Sequence, residues 1–192
     1  MALSFLDFPE AFSTAECETI VALAARSNLE PATVWSGVAD HVDTRTRQAE
    51  RCYWPRGPET AWIYDRLDAL FAEAGTRFET EVDPVFEDIQ FVRYGVGAHF
   101  QTWHSDAGTD RYEERRISAS VELSEAGDYD GGVLEIMPTT SPPIRVLQPL
   151  RRCATATACP TSSMPSSVRD IAGCSPRYAP SNGPTRSFSS MR

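Results

Sequence analysis

The alternation at Ile117–Leu123 constrains the fold more than any other stretch. Ile117, Ala119, Val121 and Leu123 interleave with Ser118, Ser120, Glu122 and Ser124 in a strict period of two. Successive side chains of a strand point to opposite faces, so this pattern predicts a strand with one apolar and one polar side. Val85–Tyr94, dense in Phe, Ile, Val and Tyr, predicts another strand; Gly95 and Gly97 break it and Ala98–His104 resumes it. A polar turn over Ser124–Asp130 and the pair Gly131-Gly132 then lead into a β-rich Val133–Met137.

Upstream the period changes. Ser13-Thr14-Ala15-Glu16 is a capping box, and Cys17, Ile20, Val21 and Ala24 share one helical face, which predicts a helix from about residue 14 to 26. Pro58 and Glu59 open a second helix, whose stripe is Ile63, Leu67, Leu70, Phe71 and Ala74, with Gly75 as its stop. Between them, Ala32–Ser36 and Arg51–Trp54 read as short β pieces around a polar loop. Helices first and antiparallel-looking strands afterwards give an α+β class with the sheet as functional core.

The pattern stops after Pro138. Of the last 54 residues, 24 are Ser, Thr or Pro, and eight prolines would interrupt most ladders. Charge changes at the same boundary. Residues 1–138 hold 26 acidic and 11 basic residues, net −15; residues 139–192 hold only Asp170 against seven arginines, net +6. The chain therefore divides into a domain over 1–138 and a low-complexity tail over 139–192, which this pattern predicts to be disordered.

The overall charge of −9 gives no electrostatic footprint for a phosphate backbone, so nucleic acid is not an expected partner. No run reaches the roughly 18 apolar residues of a membrane helix. Met1–Phe12 carries Asp7 and Glu10 and lacks a basic segment, unlike a secretory leader. The five cysteines match no zinc spacing, which suits free thiols in a reducing, cytoplasmic compartment.

Chemistry concentrates at Arg93–Asp106. In extended backbone His104 and Asp106, two apart, point the same way, so both can reach one point. An imidazole and a carboxylate so placed are two-thirds of the facial triad that holds non-haem Fe(II). A surface His–Asp pair is the competing reading of those two residues alone.

Their surroundings add to it. Tyr94, Gly97, Phe100, His104 and Asp106, then the strand ending Leu123-Ser124, then Asp128-Tyr129-Asp130-Gly131-Gly132-Val133-Leu134, resemble the prolyl-4-hydroxylase-like family of Fe(II)/2-oxoglutarate dioxygenases. The resemblance runs from Phe5 to Met137 and includes the capped helix, the phrase Leu29-Glu30-Pro31-Ala32-Thr33-Val34 and the second helix. It implies a double-stranded β-helix, or jelly roll, supported by N-terminal helices. It implies His104 and Asp106 as iron ligands, and Tyr94 lining the 2-oxoglutarate pocket, with a plain core tyrosine as the alternative. No catalytic residue is implied beyond the metal ligands. The implied cofactors are Fe(II), 2-oxoglutarate as cosubstrate and ascorbate. The implied reaction is C–H hydroxylation coupled to oxidative decarboxylation, on a prolyl or other peptide or protein side chain. Phe100 and Trp103 are assigned to packing, His99 to structure, His41 to a loop, and Arg115 and Arg116 to a solvated strand edge.

The family pattern also needs a distal His downstream and, soon after it, an Arg or Lys for the far carboxylate of 2-oxoglutarate. The histidines are His41, His99 and His104, so the third ligand is absent. Arg169 and Arg177 lie at a suitable distance but lack a flanking strand pattern. Two readings follow: a non-catalytic pseudo-oxygenase that acts as a binding module, or a tail read in a shifted frame. The joint onset of Ser, Pro, Thr, Arg, Ala and Cys bias in a chain without Lys favours the shifted frame, with the C-terminal strands missing or corrupted. A cupin-like metal protein that uses no 2-oxoglutarate is a third alternative.

Overall fold

A computed structural model of the chain describes residues 5–100, 106 and 115–124, and the backbone of strands at 134–136, 144–146, 154–160, 177–178 and 185–191. The chain opens with β1 (Leu6–Phe12) and α1 (Thr14–Arg26). Short strands β2 (Glu30–Pro31), β3 (Val34–Trp35), β4 (Asp40–His41) and β5 (Arg47–Gln48) precede β6 (Glu50–Trp54). After α2 (Ala61–Arg77) come β7 (Ile89–Tyr94), β8 (His99–Phe100) and β9 (Ile117–Glu122). The remaining strands are β10 (Leu134–Ile136), β11 (Ile144–Val146), β12 (Ala154–Pro160), β13 (Arg177–Tyr178) and β14 (Thr185–Met191).

Two antiparallel sheets organise these strands. One runs β1-β12-β9-β14-β7-β6-β2 and the other β11-β10-β13-β8-β5, with β3 and β4 as a separate hairpin. The α+β expectation holds at this level: a mixed helix-and-strand chain whose described helices all precede β7.

Helix α1 forms where its capping box predicts it. Ser13 Oγ accepts the Glu16 N–H (3.3 Å) and Glu16 Oε2 takes the Ser13 N–H (2.6 Å), so two of the first turn's free donors are satisfied. Cys17, Ile20 and Ala24 go inward as the stripe predicts. Helix α2 buries Ile63, Leu67, Phe71 and Ala74, also as predicted, and adds Tyr64. Its ends differ from the expectation. Thr60, not Pro58, is the N-cap, and Gly75 lies inside the helix. A Cβ at Gly75 would stand 2.8 Å from the Thr80 carbonyl oxygen and 2.9 Å from Val82 Cγ2, so this glycine is there for close approach, not for termination.

The large core lies between the helices and the seven-stranded sheet. It joins Leu6, Phe8 and Phe12 of β1, the inner faces of α1 and α2, Ile89 and Phe91 of β7, and Ile117, Ala119 and Val121 of β9. Tyr64 ties helix to sheet, since its hydroxyl donates to the Trp54 carbonyl (2.7 Å) and takes the Ile89 N–H (3.2 Å).

Strands β11 to β14 come from residues 139–192, for which the sequence pattern predicts none. This corrects the expectation that the C-terminal strands are missing. The prolines of that stretch lie at 142, 143, 149, 160, 165, 176, 180 and 184, all between strands or at the last residue of one. They delimit strands instead of interrupting them. β12 fills the slot between β1 and β9, and β14 the slot between β9 and β7.

Candidate functional site

Period two in β7 divides its residues between two surroundings. Ile89 and Phe91 belong to the helix-side core, whereas Val92 and Tyr94 join Ala98 in a second cluster, packed by Phe5, Ala49 and Phe100. Phe100 lies on β8 of the second sheet and Ala49 directly follows β5, so this second cluster packs residues of the two sheets against each other. β9 obeys the same division. Phe188 of β14 pairs with both Phe91 and Val121, so those two share a row. Ser187 likewise links Val92 to Glu122, and Ser189 links Gln90 to Ser120. The polar side of β9 therefore turns to the inter-sheet face along with Val92 and Tyr94.

Tyr94 is 2% exposed. Burial pushes its phenol above the ordinary value, with Glu122 adding to the rise and Arg47 opposing it. The hydroxyl thus keeps its proton. The turn after Tyr94 closes through the Ala98 N–H to the Gly95 carbonyl (3.0 Å), with Gly97 at φ +75°, a conformation that favours glycine. It returns the chain as β8, where His99 Nε2 lies 3.2 Å from the Arg45 carbonyl and Nδ1 3.5 Å from that of Gly97. His99 bridges backbone, in keeping with its structural assignment. His41 lies exposed on β4 of the hairpin.

Arg47 of β5 reaches the same face. Its guanidinium stacks on the Phe100 ring (4.8 Å to the centroid), donates from Nη2 to Gln90 Oε1 (3.2 Å) and from Nη1 to the Thr33 carbonyl (3.4 Å), and lies within hydrogen-bonding reach of Tyr94. Its Nε and the Thr33 hydroxyl are buried with no hydrogen-bond partner. Sequence reasoning placed Arg47 in a polar loop. A two-residue strand carries no periodic signal, and the partners at residues 33, 90, 94 and 100 are brought together only by the sheets.

Asp106 is half-buried, and its backbone carbonyl takes a hydrogen bond from Arg115 Nη1 (3.0 Å). Arg115 in turn grips Glu87 through Nε to Oε1 (2.6 Å) and Nη2 to Oε2 (2.5 Å). With side chains 12% and 24% exposed, this is a largely buried bidentate pair. The expectation of a solvated edge is corrected for Arg115; Arg116 is exposed as expected. The reason is tertiary: Glu87, 28 residues upstream, lies beside the start of β9. His104 and Trp103 lie outside the described residues. Among the described residues no three His, Cys, Asp or Glu side chains cluster as a metal site. Cys17 and Cys52 are buried free thiols. Among the described residues no helix is long and apolar enough to cross a membrane.

No protein-family model and no curated protein matches the chain. Solved structures do. A prolyl-4-hydroxylase from Pseudomonas putida matches with a TM-score of 0.70 at 15% identity, over 98% of this chain and 92% of that one. The viral collagen prolyl hydroxylase of Paramecium Bursaria Chlorella virus-1, in a 2OG complex, matches at 0.65 and 18%, over 98% and 95%. A 2OG-Fe(II) oxygenase-family oxidoreductase from Burkholderia pseudomallei matches at 0.64 and 19%, over 98% and 84%. The fold of this chain is the one these prolyl hydroxylases and this 2OG-Fe(II) oxygenase share, in agreement with the resemblance read from the Tyr94-to-Leu134 motifs.

Proposed function

We propose that the chain is a hydroxylase-type Fe(II)/2-oxoglutarate-dependent dioxygenase on a double-stranded β-helix. The observation that carries this reading is the position of Tyr94: buried and packed against residues of the second sheet, on the strand that precedes His104-x-Asp106. The residues present fit an iron site in part. His104 and Asp106 supply the nitrogen and oxygen donors that non-haem Fe(II) takes, and Arg115 anchors the backbone of Asp106. Fe(II) with 2-oxoglutarate and O₂ would supply the oxidising chemistry, and ascorbate would keep the metal reduced. The protein's own work is to hold two donors on an anchored segment, to offer the Tyr94 hydroxyl as a hydrogen-bond donor to the cosubstrate, and to exclude water between the sheets.

A peptide or protein side chain is the proposed substrate class. A structurally similar prolyl hydroxylase from Trichoplax adhaerens is in complex with a hypoxia-inducible-factor peptide fragment. A cytoplasmic site of action accords with the free thiols of Cys17 and Cys52.

The lack of any His after Asp106 favours a second reading, a non-catalytic module that retains the fold. A frame-shifted 139–192 would account for the missing His, with strands β11 to β14 still completing both sheets. Succinate release on addition of Fe(II), 2-oxoglutarate and ascorbate separates an oxygenase from the module and from a cupin-like protein. Resequencing the gene tests the frame: an intact frame through the last 54 codons, repeated in close relatives, overturns the shift.

A further inference from the structure

The proposed metal site leaves Arg47, on the inter-sheet face, unexplained. Every partner that the described residues give it is neutral: the Thr33 carbonyl, the Gln90 amide oxygen, the Phe100 ring and the Tyr94 hydroxyl. Arg47 is half-buried, and a guanidinium that gives up part of its hydration is ordinarily paired. Its Nε is buried and bonds to nothing, and the Thr33 hydroxyl beside it is also orphaned. Buried donors left idle in a folded protein point to a missing acceptor. Nε and one Nη of a guanidinium form a fork that matches the two oxygens of a carboxylate. Thr33 Oγ adds a third donor.

We propose that Arg47 and Thr33, beside Tyr94, form a receptor for the carboxylate of a small organic acid. The Nε edge of Arg47 takes one oxygen, an Nη the other, and the Thr33 hydroxyl completes the shell. The carrier of that carboxylate is 2-oxoglutarate or the molecule to be oxidised, and only this naming of carriers rests on the oxygenase reading. The chain thereby answers the absence of a downstream clamp with a cation from β5, on the amino-terminal side of the sheets.

The test is calorimetric titration of the full chain with succinate, without metal, for the wild type and for Arg47→Met, Arg47→Lys and Thr33→Val. Saturable binding is expected in the wild type, about 10–100-fold weaker in Arg47→Met, the loss that goes with a hydrogen bond to a charged group. Arg47→Lys keeps the charge without the fork and falls between them. Thermal transitions establish that each variant is folded; if Arg47→Met is not, Thr33→Val decides, with a weakening of several-fold expected. Wild-type affinity in Arg47→Met or in Thr33→Val, or no saturable succinate binding by the wild type, overturns the receptor. With Fe(II) present, succinate that displaces 2-oxoglutarate assigns the receptor to the cosubstrate, and succinate that binds beside it assigns the receptor to the oxidised substrate. Arg47-dependent succinate binding without any 2-oxoglutarate decarboxylation sinks the oxygenase reading alone. Decarboxylation with succinate affinity indifferent to Arg47 sinks the receptor alone.

Discussion

Replacing Arg115 with Met removes a guanidinium and keeps an unbranched side chain. In the wild type Arg115 makes two charged hydrogen bonds to Glu87 and one to the Asp106 carbonyl. The Glu87 side chain is 24% exposed, so without its partner a carboxylate is left in a pocket three-quarters closed. Removing one member of a fully buried pair costs about 3–5 kcal/mol. Partial hydration of Glu87 lowers that to about 2–3 kcal/mol, and the freed Asp106 carbonyl adds about 1 kcal/mol. The variant should therefore lose about 3–4 kcal/mol, a large share of the roughly 5–15 kcal/mol of a domain. Urea unfolding measures this through the midpoint at unchanged slope. The double variant Arg115→Met/Glu87→Leu carries no orphaned charge and should regain most of the loss, leaving only the Asp106 share. A single variant within about 0.5 kcal/mol of wild type would mean the pair behaves as a surface ion pair. A double variant no more stable than the single would refute the buried-charge reasoning in another way.

Tyr64→Phe should cost about 2–3 kcal/mol in the same assay, because it strands the buried Trp54 carbonyl and Ile89 N–H together. Gly75→Ala gains about 1 kcal/mol of helix propensity but drives a Cβ to 2.8 Å from the Thr80 carbonyl, so the net effect should be destabilising, with a lowered thermal midpoint. Stability should also fall at alkaline pH. Tyr64 and Tyr94 both have phenols raised above 10.0 by burial, so above that pH the unfolded chain sheds protons that the folded chain keeps, and the stability is lost as pH rises through the folded values. Urea midpoints taken across that range should decline, and Tyr94→Phe should flatten part of the decline; a midpoint independent of pH there contradicts the assignment.

What was legible in the sequence was local or strictly periodic. Ser13 and Glu16 satisfy each other within one turn, so α1 appears within the bounds that the capping box predicts. The alternation of β9 is long enough to assign its faces, whereas the face of Tyr94 on β7 is set by tertiary packing and by pairing through β14. The rest was long-range. Arg115 meets a carboxylate 28 residues away, and no windowed pattern connects them. Gly75 has the composition of a stop but the surroundings of a contact, set by the return of the chain at Thr80 and Val82. In residues 139–192 the number of prolines suggested broken ladders, whereas their positions, outside strand interiors, decide the outcome.

Strand β14 holds the middle of the larger sheet with few instructions. It links β7 to β9, yet apart from Phe188 and the terminal Met191 it is built of Thr, Arg and Ser. A slip of one residue sends every side chain of a strand to the other face, and only a contrast between faces resists it. Phe188, standing in the row of Phe91 and Val121, is nearly the whole of that contrast. The alignment of β7 with β9, and with it the spacing of Tyr94 from Glu122, is thus encoded at a single aromatic position, a point where one codon governs the geometry of two strands that lie far apart in the chain.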